Sequence, residues 1–310
     1  MIAILRRELL IALRRGAPFT LLAANAIVMA LLATIVAALA ASISPWVAPT
    51  VGATSAPTQS GLGPTLIAWR GPALFWLLCS WLAILCTIVG PIFGARALSS
   101  ERAAGTLDDL FVSGMPFHRV IVGKAVAAYS HIVILLVTSI PGFAISWIFG
   151  GVGLRVALYA TIFLLVWGAF VVVLGLLSAA IHFGSLASTA LACSAATLLL
   201  MGATIGFVVA SATGQKDAAA VLSLFSPLIA LLSSNAEFAE VLSRNTPGSL
   251  LLPINPSATV LGQSLGAPLP ILASVMFVVV ILALIPLVAA IVDPYHPLKT
   301  MHLRQSARGG

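Results

Sequence analysis

Six stretches of this chain, residues 20–41, 73–94, 125–149, 154–180, 185–210 and 271–292, each run for more than 20 residues with almost no charge. A helix of about 20 apolar residues matches the ~30 Å hydrocarbon core of a bilayer, and such runs are candidate spans. Lipid supplies no water to unpaired peptide groups, so only helices and closed barrels cross it. A transmembrane barrel would read as ten-residue segments of alternating polarity. Unbroken runs such as "LLVWGAFVVVLGLL" at 164–177 predict instead an all-α integral membrane protein with six transmembrane helices in a single domain. At 61% hydrophobic and 7% charged residues, the chain has far more apolar material than a soluble core needs.

The first run ends in "ALAAS", a pattern resembling a signal-peptidase site, but it is too long for a signal-peptide core and reads as a retained first span. The competing reading is cleavage after Ala40 or Ala41. Ahead of it, residues 1–19 place Ile2, Leu5, Leu9 and Leu13 on one helical face and Arg7, Glu8, Arg14 and Arg15 on the other. This is an amphipathic helix suited to lying on a membrane surface, with Pro18 turning the chain into the bilayer. The alternative is a basic flank that only sets topology.

Lys and Arg set the orientation. Arg6, Arg7, Arg14 and Arg15, then Arg96, Arg102, Arg119 and Lys124, then Lys299, Arg304 and Arg308 fall on one side, against Arg70, Arg155, Lys216 and Arg244 on the other. Both termini, the loop between the second and third spans, and the tail 293–310 are therefore expected in the cytoplasm. The basic balance is a topology signal, and nothing resembles a nucleic-acid footprint. Short turns between spans three, four and five predict antiparallel neighbours. Residues 211–270 form an external region with two apolar pieces broken by proline, expected to dip into the outer leaflet as short re-entrant helices; a seventh span split at Pro227 is the competing reading.

Little in the chain can do chemistry. None of the eight Asp and Glu residues lies in the middle of a span, which argues against proton- or sodium-coupled carriers. Asn25 and His131 are polar exceptions, and His131 reads as a hydrogen-bonded packing residue. Cys79, Cys86 and Cys193 lie inside spans without metal spacing and read as small apolar fillers. No metal site or catalytic set is recognisable, and Gly123-Lys124 lacks the rest of a phosphate loop, with His118 and Ala125 where Gly and Ser/Thr would stand. The chain itself is thus expected to be no enzyme and to bind no cofactor.

Charge gathers instead in "SSERAAGTLDDLFVSGMPFHRVIVGK" at 99–124, with Glu101, Arg102, Asp108, Asp109, Arg119 and Lys124. Thr106 and Asp109 form a capping box that starts a short helix, with Gly105 supplying the turn before it. On that helix Leu107, Leu110 and Phe111 fall at i, i+3 and i+4 and make an apolar knob, which Gly114 and Pro116 terminate. Each central charge would cost about 2.5–3.5 kcal/mol in lipid. The segment therefore stays in water, where the knob either docks on a partner or folds back on the membrane surface.

This stretch resembles the signature of ABC-transporter permeases of the type-2 export family (type V exporter fold): Glu-Arg-x-x-Gly-Thr-Leu-Glu/Asp, Leu-rich residues, Ser/Thr-Pro and a closing Gly-Lys. Glu101, Arg102, Gly105, Thr106, Leu107, Asp108, Leu110, Gly123 and Lys124 occupy the matching places, while Gly114 stands where proline is common, with Pro116 two residues later. The layout of the whole chain is similar too. The resemblance implies a permease of the bacterial cytoplasmic (inner) membrane whose 99–124 loop carries the coupling helix, including Asp109 and Phe111, and whose residues 1–19 are the elbow helix. It implies two copies of a separate ATPase subunit, which bind the ATP and Mg, and a second permease chain, alike or different, with membrane lipid around them. In that family the second and fifth helices usually face the dimer axis. That makes Phe75 and Trp76, with Trp81, and the small residues Ser188, Ala192, Gly202 and Gly206 candidates for the pathway or interface, with packing inside one chain as the alternative. An aromatic lining would favour a lipid-like, peptide or drug-like substrate. The alternative function is a membrane scaffold or assembly subunit without transport of its own; a membrane-embedded enzyme fails for want of paired catalytic groups.

Overall fold

The computed structural model describes residues 17–43, 70–105, 117–148, 152–181, 185–213, 215–233, 257–260 and 263–292. Nine helices account for nearly all of them: α1 (Ala17–Ile43), α2 (Arg70–Ala104), α3 (Phe117–Thr138), α4 (Ile140–Ile148), α5 (Leu154–Ile181), α6 (Ser185–Ala212), α7 (Lys216–Phe225), α8 (Pro227–Ser233) and α9 (Leu269–Val292). One antiparallel hairpin, β1 (Ser257–Val260) with β2 (Gln263–Pro268), precedes α9 and pairs Thr259 with Ser264 and Val260 with Gln263. The all-α expectation stands for the bundle, and the hairpin is an addition that the apolar pattern does not carry.

Five segments are long and apolar enough to cross a membrane: Gly71–Arg102, Arg119–Ile148, Leu154–Ile181, Leu186–Ala212 and Leu269–Val292. The expected first span falls on α1, 27 residues long, within which Leu22–Leu32 is a shorter apolar helix among the described residues. Two other expectations are adjusted. The second helix runs well past 94, to Ala104, and ends where Gly105 takes φ +69°, the left-handed conformation that closes a helix with glycine. The third starts at Phe117 and breaks at Ser139, because Pro141 two residues on cannot donate to the carbonyl of Val137. Residues 1–16 and 106–116 lie outside the described residues, and so do 234–256 and 293–310.

α5 is the axis of the bundle, packed against α2 most extensively and also against α9, α6 and α3. Its contact with α2 is backbone to backbone. A Cβ on Gly175 would lie 2.5 Å from the carbonyl oxygen of Pro91 and 3.0 Å from the amide nitrogen of Ala95, one on Gly94 would strike the Val172 carbonyl, and one on Gly90 would lie 2.5 Å from Val171 Cγ2. Gly90 and Gly94 form a GxxxG step, the pattern that lets membrane helices approach closely. Gly168, one face-repeat above Gly175, opens the same helix to Ile132 of α3.

Above this contact Trp167 is fully buried, its ring centroid 5.2 Å from that of Phe277 and 5.6 Å from that of Phe170. Its indole N–H donates to Thr87 Oγ1 at 3.1 Å, and Thr87 donates to the Ala83 carbonyl at 2.7 Å, so no polar atom of the pair faces lipid unpaired. Asn25 of α1 is satisfied likewise: its amide donates to Ser139 Oγ at 3.1 Å and accepts from Trp81 Nε1 at 3.3 Å. That network ties α1 to α2 at the α3–α4 break. At the far end, Ser226 caps α8, accepting from the Ile229 N–H at 3.4 Å with Pro227 in the first helical position, and its hydroxyl lies 2.7 Å from Thr204 Oγ1 of α6. α7 and α8, at 10 and 7 residues, are each too short to span, and α8 is buried among α2, α6 and α9.

The two GxxxG steps are therefore unequal. Gly94→Ala is expected to lower the stability of the solubilised chain by about 1–3 kcal/mol, the usual cost of overpacking, whereas Gly202→Ala, with only its own helix's Leu198 nearby at 3.9 Å, is expected to leave it unchanged or slightly raised. Fluorescence-detected thermal unfolding of both variants checks the contrast.

Candidate functional site

The charged loop begins and ends on helices whose described ends converge. α2, α3 and α5 meet at one end of the bundle, where Ala95 and Leu98, Ile121 and Ala125, and Leu176, Ala179 and Ala180 pack as one apolar cluster with Val288 and Val292 of α9. Around it sit the charges. Lys124, 6% exposed, forms an ion pair with Glu101 and donates to the Ala97 carbonyl at 3.1 Å. Ala97 and Glu101 are one turn apart, so a single ammonium grips one face of α2.

Arg102 reaches the other way. Its Nη1 donates to the carbonyl of Ala179 and its Nη2 to that of Ala180 at 3.2 Å, both in the last turn of α5. The final carbonyls of a helix have no partner within it and carry the negative end of its dipole. A guanidinium there satisfies two acceptors with one rigid fork, worth up to about 2 kcal/mol in partly buried geometry. Lys124 thus ties α3 to α2, and Arg102 ties α2 to α5. Arg96 and Arg119 remain exposed beside this knot.

The structure brings together Glu101, Arg102, Lys124 and, at the end of α2, Gly105. Thr106, Leu107, Asp108, Asp109, Leu110 and Phe111, and the elbow residues Arg6, Arg7, Arg14 and Arg15, lie outside the described residues. The candidate pathway or interface residues do not form one surface. Phe75 is buried in the main core, its ring 5.5 Å from Phe143 of α4, and Trp76 is half-buried. Ser188 and Ala192 are fully buried on the inward face of α6, while Gly202 faces outward and Gly206 packs 3.3 Å from Leu222 of α7 by its would-be Cβ. His131 lies beside the knot's upper edge, its Nδ1 3.1 Å from the Ala127 carbonyl and its ring stacked on Phe93 at 4.4 Å and 16°.

Pattern reading placed Glu101 and Arg102 in the part of the loop that meets a partner, and missed that both turn inward. The available signal was the opposite charge of Glu101 and Lys124 on the two flanks of an otherwise solvent-bound segment. Lys124 was read as the end of a motif rather than as half of a pair. Gly90 and Gly94 carry the same GxxxG spacing as Gly202 and Gly206, and of these Gly94 is the one that meets the backbone of another helix.

Five long apolar segments, α5 and four packed around it, are the architecture of a multi-pass helical membrane protein. Comparison with protein-family models and with the curated proteins finds no match to this chain.

Breaking the knot on one side leaves a charge without its partner in a low-dielectric site. Lys124→Met is expected to cost about 3 kcal/mol, the low end for a buried pair. The double variant Glu101→Gln/Lys124→Met is expected to recover more than half of that loss, and a double-mutant cycle on thermal unfolding reads the difference.

Proposed function

We propose that this chain is the membrane-spanning subunit of an ATP-driven ABC exporter, which forms the translocation path and receives mechanical work from a separate ATPase. The observation that carries the reading is the reach of α2. Its 35 residues span ~52 Å at ~1.5 Å per residue, about 20 Å more than the ~30 Å hydrocarbon layer. The helix therefore emerges from the bilayer before it ends at Gly105, and α3 re-enters from Phe117. Residues 106–116, with the capping box Thr106/Asp109 and the knob Leu107, Leu110 and Phe111, are then held outside lipid, in reach of a soluble partner.

In this reading α1 is the first of six spans, the elbow helix lies in the residues ahead of Ala17, where α1 begins, and the end bearing Arg96, Arg102, Arg119 and Lys124 faces the cytoplasm of a bacterial cell by the positive-inside rule. The knob seats in a groove on each of two ATPase subunits, which hold ATP and Mg, and two permease chains enclose the path. Closure of the ATPases moves α2 and α3 through a packed contact, and packed contacts switch between discrete arrangements rather than deforming continuously. An apolar or amphipathic substrate suits a path so poor in charge.

The test is co-purification of an ABC ATPase subunit with the tagged chain from its own host cells. Leu110→Asp and Phe111→Asp are each expected to leave the chain folded and inserted while reducing ATPase co-purification about tenfold or more, the effect of ~1.4 kcal/mol or more lost from an apolar contact. Undiminished co-purification of both variants overturns the docking role. A parent chain that inserts and brings down no ATPase favours a scaffold.

A further inference from the structure

The side chains of the bundle pack in two clusters rather than one. The main cluster includes Leu74–Leu82 positions of α2, Phe163–Val172 positions of α5, and Phe277 with Leu284 of α9, whereas the second holds Ala95 and Leu98, Leu176 to Ala180, and Val288 and Val292 at the charged end. The boundary lies at or next to the helix breakers. On α5 it falls at Gly175, between Leu174 of one cluster and Leu176 of the other, and on α9 at Pro286, between Leu284 and Val288; on α2 it lies just beyond Pro91, where Phe93 packs on the main cluster, Ala95 belongs to the second and Ala97 touches both. The fourth helix, α3, crosses it through Val126 and Ala127.

Each breaker lowers the stiffness of its helix at that level. Proline removes the hydrogen bond that its N–H would give, so the bonds from 91 to the Thr87 carbonyl and from 286 to the Leu282 carbonyl cannot form, and both are sites where helices bend. Gly175 lies against the Pro91 backbone with no side chain between, so at this level α2 and α5 meet through backbone, and a change in their crossing angle pivots here instead of unlocking side chains interleaved from both helices. Beyond that level the opposite holds. Lys124 joins α3 to α2 at Ala97 and Glu101, and Arg102 joins α2 to the last turn of α5, so the second cluster is cross-tied on its polar rim as well as filled with apolar side chains.

We propose that the charged end, comprising 92–104 of α2, 117–125 of α3, 176–181 of α5 and 287–292 of α9, is a single mechanical block that tilts against the rest of the bundle about a hinge layer formed by Gly90–Pro91, Gly175 and Pro286. Glu101, Arg102 and Lys124 are positioning residues that keep the block together: they convert a push on one helix end into a tilt of all of them. The proposal concerns how the bundle bends and does not require the transport reading.

The full chain in lipid nanodiscs tests both halves. Hydrogen exchange of Lys124→Met is expected to quicken about tenfold, together, in 92–104, 117–125 and 176–181, although the bonds Lys124 makes to Glu101 and Ala97 run to α2, with 74–89 and 160–172 unchanged; Glu101→Lys/Lys124→Glu is expected to return most of the protection. A rise confined to α3 means the helix ends are independent and overturns the block. For the hinge, spin labels at Ser100 and Thr197 in a Cys193→Ser chain report the distance between block and bundle. Pro286→Ala, at an exposed position, and Pro91→Ala/Pro286→Ala are expected to narrow the distance distribution stepwise by restoring helix hydrogen bonds. A width unchanged in Pro286→Ala and, where that chain folds, in the double variant overturns the hinge.

Discussion

The close approach of α2 and α5 at Gly94 and Gly175 is the contact on which the remaining packing depends. With no side chain at either position, the backbone of one helix rests on that of the other, and Pro91, Ala95 and Val172 supply the walls. Lipid tails are as apolar as leucine side chains, so the gain from bringing two such helices together comes from dense van der Waals contact and from polar groups finding partners. Once α5 is seated against α2, its other faces are committed: Gly168 receives Ile132 of α3, and Trp167 with Phe163 and Phe170 receives Phe277 of α9.

Polar side chains inside the bundle follow from the same medium. Many of the described polar side chains in the spans bond locally or across helices, as Ser139 does to the Leu135 carbonyl at 3.0 Å and Tyr129 to the Leu165 carbonyl at 3.1 Å. These bonds are inexpensive to form and costly to lose where water is absent. Lys124 and Arg102 extend the principle to full charges. Each sits at the margin of the apolar cluster with its stem among carbons and its head on an ion-pair partner or helix-terminal carbonyls. The charged end consequently combines polar ties with apolar packing, a combination suited to passing displacement from a loop into a bundle.

Much of this was legible in the pattern of residues. The apolar runs locate the spanning helices to within a few residues at 154–180, 185–210 and 271–292, because burial in lipid demands hydrophobicity all round and no phasing with neighbours is needed. Legibility failed where neighbours decide. The extension of α2 to Ala104 uses residues such as Ser99, Glu101 and Arg102 that would be a solvated loop in isolation; the cluster of Leu98, Ile121 and Leu176 and the two ties keep them helical. The break at Ser139 was visible in Pro141, yet a proline alone does not say whether a membrane helix bends or continues, and here Asn25 and Trp81 occupy the opening.

Sequence by itself determined that this chain is a multi-pass helical membrane protein and that 99–124 carries a concentration of charge, because length, hydropathy and residue type are properties of single segments. Only the tertiary structure decided which glycines are contacts and which are left exposed, and which charges of the 99–124 stretch turn inward. Gly94 and Gly202 have the same local pattern, as do Arg96 and Arg102 one and a half turns apart. What separates them is whether another helix stands within reach: Val172 and Gly175 beside Gly94, and the open carbonyls of Ala179 and Ala180 beside Arg102.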